Sequence, residues 1–191
     1  MFLLLSSLIF SCKDKDVNPP EVNNNAPALA PGQVALHHDD YNMDAPEFET
    51  GNYEVAVRFS GDELDDLQSG NLVAVQYHMA EKPTAASIKI YMGEEITEEN
   101  LVYSSSNFAA QIQRLKWNVH QLNDTIVIND QPLWIALRFT ASAAQKYIGC
   151  DPGPAHAFGD WMWASSDQEW IRFENRTETS INWNVRGVVE P

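Results

Sequence analysis

The chain has 191 residues, 44% of them hydrophobic, with 12 Lys plus Arg against 27 Asp plus Glu and a formal charge of −15. That length accommodates one well-cored domain and a short appendage. The charge excludes a surface that neutralises nucleic-acid phosphates, so nucleic acid is not an expected partner, and it excludes docking on anionic lipid headgroups. Two cysteines cannot make a disulfide framework.

Residues 1–11 carry an apolar run, Phe2-Leu3-Leu4-Leu5 and Leu8-Ile9-Phe10, that is too short to cross about 30 Å of hydrocarbon as a helix. It reads as a signal peptide. The run ends in Ile9-Phe10-Ser11-Cys12, which resembles a bacterial lipobox. The resemblance implies that Cys12 is the lipidation site, acylated with palmitate-class chains, and that the protein is an outer-membrane lipoprotein held to the membrane through this anchor alone, with its domain exposed at the cell surface. Residues 12–35 follow with Asn18-Pro19-Pro20, Asn23-Asn24-Asn25 and Ala26-Pro27 through Pro31-Gly32, a composition that cannot bury a core and predicts an extended tether.

From residue 36 to 191 the pattern is one domain of short alternating segments. Tyr53, Val55, Val57 and Phe59 share one face at period two, as a half-buried strand requires. Further strands are expected at 72–79, 87–92, 101–104, 114–122, 125–128, 133–140, 161–164, 170–173 and 181–189, separated by turn clusters such as Ser69-Gly70-Asn71 and Asn123-Asp124. Residues 61–68 predict one or two helical turns with Leu64 and Leu67 facing inward. About ten strands with almost no helical periodicity make the fold class all-β, an antiparallel β-sandwich of jelly-roll type.

Between Asp39 and Asp66 there are ten carboxylates and one basic residue, Arg58. Such oxygen-rich loops suit calcium, the one cofactor this composition points to, although the spacing fits no EF-hand; a solvated acidic face is the plainer expectation. His37-His38-Asp39-Asp40 offers transition-metal donors, but adjacent side chains cannot all reach one ion, and a flexible approach to the domain is expected there.

The most distinctive stretch is Gly149-Cys150-Asp151-Pro152-Gly153-Pro154-Ala155-His156-Ala157-Phe158-Gly159-Asp160-Trp161, whose prolines and glycines predict a structured long loop. Together with Leu133-Trp134-Ile135 and Asn182-Trp183-Asn184-Val185-Arg186, it resembles β-sandwich modules appended to secreted peptidases and surface lipoproteins of Gram-negative bacteria, in the style of gingipain adhesin domains. The resemblance implies a non-catalytic accessory or adhesion module. No peptidase domain accompanies it in these 191 residues, which leads to the expectation of a free-standing binding protein. Cys150 with His156 as base is a poor nucleophile pair, because Asp151 disfavours the thiolate and no oxyanion motif is visible.

Four of the six tryptophans fall in the last 31 positions. Trp161 and Trp163 share a strand face, with Met162 on the other. Trp134 and Trp183, set in alternating strands, are expected inside. Trp161 and Trp170, each beside polar loop residues, are candidates for stacking on a sugar face. The sequence therefore predicts ligand binding through Asp151, His156, Asp160, Trp161 and Trp170, with a glycan or an extracellular protein as partner. A structural subunit of surface machinery is the alternative, and a hydrolase ranks last.

Overall fold

The structure is a computed structural model that describes residues 26–191. The signal peptide, the lipobox with Cys12 and the first part of the tether lie outside the described residues.

The strands in chain order are β1 (Val34–Leu36), β2 (Glu47–Phe48), β3 (Gly51–Phe59), β4 (Asn71–Met79), β5 (Ala85–Met92), β6 (Leu101–Ser104), β7 (Lys116–Val127), β8 (Leu133–Ala141), β9 (Gln145–Lys146), β10 (Trp161–Ala164), β11 (Trp170–Arg172) and β12 (Val185–Glu190). Two short helices, α1 (Asp62–Asp65) and α2 (Phe173–Thr177), follow β3 and β11. One sheet has the order β1-β12-β4-β7 and the other β11-β10-β3-β8-β5-β6, all antiparallel, while β2 and β9 pair apart from both. Numbering β1, β3, β4, β5, β6, β7, β8 and β12 from one to eight, the sheets read 1-8-3-6 and 2-7-4-5, the interleaved Greek keys of a jelly roll. The β10–β11 hairpin is an addition that widens the second sheet beyond β3.

The core lies between the sheets and follows the predicted alternation. Val55, Val57 and Phe59 of β3, Ile88 and Ile90 of β5, and Leu133, Ile135, Leu137 and Phe139 of β8 are all essentially inaccessible and join one apolar cluster with Trp183 and Tyr147. Leu64 of α1 and the following Leu67 plug one end, as expected.

Three expectations change. The Asn123-Asp124 pair makes no turn: 116–127 is one strand, and a pairing irregularity opposite Leu72 to Ala74 of β4 absorbs the misfit. Residues 181–184 are outside β12, because Cys150 bridges Trp183 there and the long loop takes up those backbone groups. The approach at 37–40 is fixed and not flexible. Val34 and Ala35 already pair with β12, and Asp39 is completely buried, its carboxylate accepting from Arg186 Nε (2.9 Å) and the terminal Nη2 (2.8 Å) and from Asn184 Nδ2 (2.7 Å). Charge-assisted pairing of this kind is what permits a carboxylate to sit out of water.

His78 of β4 is buried, edge-on to Trp117, and burial pushes its pKa from 6.5 down to about 4. The unfolded chain therefore takes up this proton first as the pH falls, so stability is lost from about pH 6.5 downward and the loss levels off below about 4. His38 and His120, also lowered by burial, add in the same direction. Thermal melting of the chain from neutral pH to about 4 is expected to show a falling Tm, and the His78→Phe variant a shallower fall.

Candidate functional site

Period-two alternation gives the six-stranded sheet a second face, turned away from the core. On it β3 presents Glu54, Ala56 and Arg58, β8 presents Trp134, Ala136 and Arg138, β5 presents Lys89 and Tyr91, and the β10–β11 hairpin adds Trp161, Trp163 and Trp170. Register turns these into cross-strand rows: Trp170, Trp163, Glu54 and Arg138 in one, and Trp161, Ala56, Ala136 and Lys89 in the next. The paired alanines are decisive for shape. With no side chain beyond Cβ at the sheet's middle, the large residues on either side become walls.

This face has its own apolar cluster, separate from the sandwich core. Ala56, Tyr91, Trp134 and Ala136 are buried, and Ile96, Leu101, Phe158, Trp161 and Trp170 pack on them while remaining partly open to solvent. Ile96, in the loop after β5, packs on this cluster and borders two adjoining hollows. One, of about 220 Å³, is bounded by Glu54, Lys89, Tyr91, Glu98, Trp163 and Trp170. The other, of about 310 Å³, is bounded by Trp134, Trp161, Trp170, Ile96 and the carboxylates of Glu94 and Glu95.

The polar groups of the first hollow are held in place. Glu54 is buried, accepts a hydrogen bond from Tyr91 Oη (2.7 Å) and lies 3.5 Å from Lys89 Nζ. Burial, followed by the Glu54 charge, raises the Tyr91 pKa well beyond its ordinary range, so this phenol stays protonated and donating. Arg138 lies over the Trp163 ring at 6.0 Å, and Arg58 over Phe158 at 4.5 Å while pairing with Glu94.

The five residues expected to bind ligand divide into three groups. Trp161 and Trp170 are half-buried and together line the larger hollow; the Trp161 indole N–H donates to Ala157 O (3.0 Å), which fixes the ring. Asp151 and Asp160 are buried and hold the loop. Asp151 accepts from Gly153 N (2.8 Å), Asn182 N (2.8 Å) and Asn182 Nδ2 (3.0 Å). Asp160 accepts from Arg172 Nε (2.8 Å) and Glu174 N (2.9 Å), tying β11 and the start of α2 to the loop and raising the Arg172 pKa. His156 is exposed at the loop's turn, away from the tryptophans, stacked on His38 at 3.9 Å between centroids. Among the described residues, His38, Glu63 and His156 are the one group of three His, Cys, Asp or Glu side chains whose ligand atoms converge, all within 4.8 Å of one another. The acidic run at 39–66 is otherwise dispersed: Asp39 faces Arg186, Asp44 faces Lys146 (2.6 Å) and Glu54 lies in the groove.

Trp134 is buried as expected, but beneath the outer face and not between the sheets; Trp183 is fully inside the core. Cys150 is buried, and burial, then Asp44 and Asp151, push its thiol up to about 12, which leaves no thiolate at neutral pH. Glu54, Lys89, Tyr91, Arg138 and Trp163 were not singled out as ligand-binding residues by the sequence. Alternation placed each on the outer face, but only strand register brings them side by side.

No family model matches this sequence, and no curated protein matches it. Solved structures do. The fold is shared with a clostridial cysteine protease, Cwp84, after propeptide cleavage, at 9% identity and a TM-score of 0.54 over 83% of this chain and 40% of that one. The structure of the cysteine protease and lectin-like domains of Cwp84, a surface-layer-associated protein of Clostridium difficile, matches at 9% identity and a TM-score of 0.44 over 73% of this chain and 32% of that one. The chain thus spans about two fifths of the protease chain or less. At this identity the likeness shows the fold, a β-sandwich that occurs within a peptidase chain.

The Asp151 hydrogen bonds predict a stability effect. The Asp151→Ala variant leaves several donors in the loop unpaired and should lose at least about 2 kcal/mol in urea denaturation, whereas Glu98→Gln at the exposed rim should change stability by less than about 0.5 kcal/mol.

Proposed function

We propose that the outer face of the six-stranded sheet is a glycan-binding surface, and that the protein is a non-catalytic binding module carried at the bacterial cell surface by the lipidated Cys12. The observation that carries this reading is the group of half-exposed indoles, Trp161, Trp163 and Trp170, set around hollows in which Glu54, Tyr91 and Lys89 hold one another in place. A sugar ring is apolar on its C–H faces and polar at its rim. Indoles supply the stacking surface, while Glu54, Lys89 and Glu98 supply an acceptor, a donor and a second acceptor for hydroxyls. Half-exposed tryptophans in a monomer are also a sizeable apolar cost unless something covers them.

The fold agrees with this reading, since Cwp84, the protein whose chain contains a similar sandwich, is described with lectin-like domains. A structural role in a surface assembly is the alternative, supported by the exposed Val119 and Val127 on β7, an edge strand.

A glycan array probed with the full chain is expected to return oligosaccharide ligands. For those ligands, Trp163→Ala and Trp170→Ala should each weaken binding at least about tenfold, equal to about 1.4 kcal/mol, with Tm retained. Binding that survives both substitutions, or an array without hits, defeats the proposal. Substrate turnover in the same samples would defeat its non-catalytic part.

A further inference from the structure

We propose that His38, Glu63 and His156 form a binding site for a divalent transition metal of the zinc type, independent of the aromatic groove. The three residues come from distant parts of the chain: His38 precedes the first long strand, Glu63 lies on α1 and His156 on the loop that leads into β10. Their ligand atoms lie within 4.8 Å of one another. Two imidazoles and one carboxylate form a donor set that suits zinc, with a fourth position left for water, and calcium has little use for the nitrogens.

Each donor is oriented by a neighbour. His38 Nε2 lies 2.7 Å from Arg58 O, and a carbonyl only accepts, so Nε2 carries the proton and Nδ1 presents a lone pair. That nitrogen is 3.7 Å from Glu63 Oε1. The arrangement, ring N–H to a backbone carbonyl and the other nitrogen toward the ion, is the one that fixes metal-binding histidines. Phe59 backs the ring at 4.6 Å, and burial lowers the His38 pKa, keeping the ring neutral and ready to coordinate. Glu63 is positioned through its other oxygen, which accepts Ser60 N–H (3.0 Å) at the start of α1.

His156 is the movable member. Its ring is nearly parallel to His38, within 20°, and the lone pairs of parallel rings 3.9 Å apart run side by side and do not meet. Coordination therefore turns the exposed His156 ring about its side-chain torsions. Its Nδ1 accepts only a long bond from Phe158 N (3.4 Å), while its backbone N–H is anchored on Asn182 Oδ1 (2.7 Å). The ring is free to swing on a fixed backbone. Bound metal would join the amino-terminal approach, α1 and the long loop.

The test is calorimetric titration of the metal-free full chain with zinc chloride, repeated with calcium chloride, together with thermal melting and the visible spectrum of the cobalt(II) form. One zinc per chain, a raised Tm and cobalt bands characteristic of nitrogen and oxygen ligands are expected, without a calcium response. His156→Ala and Glu63→Gln, both at exposed positions, should each weaken zinc at least about tenfold, and His37→Ala and Cys12→Ser should leave it unchanged. Unchanged affinity in His156→Ala and Glu63→Gln, loss in Cys12→Ser or His37→Ala alone, or no zinc binding at micromolar concentration overturns the proposal.

Discussion

Asp151 ties together the parts of this molecule that are not sheet. Its carboxylate takes hydrogen bonds from Gly153 and from both the backbone and side chain of Asn182, in a place closed to water. A buried carboxylate survives only where its lone pairs are met by fixed donors, so the loop at 149–161 and the segment at 180–184 have little freedom apart. Asn182 passes the constraint on, because its Oδ1 accepts His156 N–H and its Nδ2 also reaches Pro154 O. Gly149 sits at the start of the same arrangement with Asn42, His78 and Asn184 so close that a Cβ would fall 2.3 to 2.8 Å from their polar atoms. The loop then delivers the chain into β10 at the angle that turns Trp161 and Trp163 outward.

The aromatic face follows from a division of labour along each strand. Odd positions of β8 from Leu133 to Phe139 fill the core, and the even ones, Trp134, Ala136 and Arg138, build the outer surface. Sandwiches usually give such outward positions to small polar residues. Here the outward set includes four indoles and a tyrosine, and the loop after β5 shields only part of them. Among them Glu54 is held by Tyr91 and Lys89, and Arg58 pairs with Glu94, so these side chains keep little freedom.

Most of the fold was legible in the sequence, and the reasons are local. The alternation in 53–59 and 133–140 and the glycine and proline punctuation gave strands close to those observed, and the residues of 101–104 and 161–164 coincide with β6 and β10. Asn123-Asp124 misled because the pair lies in a bulge of β7 itself, where residues 122–125 face the single position 73 of β4, so the chain loops out of register without reversing. Of the residues proposed to bind, Trp161 and Trp170 were accessible through their polar flanks. Glu54 and Lys89 were not, since they lie 35 positions apart and meet only through β3, β8 and β5 in register. Asp151 and Asp160 looked like ligand contacts because an aspartate in a glycine-rich loop has the same sequence appearance whether it faces solvent or caps backbone donors.

The register slip between β4 and β7 has a wider meaning. β7 is twelve residues long and ends the four-stranded sheet, so one row of its amide and carbonyl groups has no neighbouring strand among the described residues. A straight, regular edge of that length would template the addition of another chain. The irregularity opposite Leu72 to Ala74 bends the strand, and Lys116 and Asp124 place charge along it. Two copies that meet along this edge are then kept from fusing into one continuous sheet.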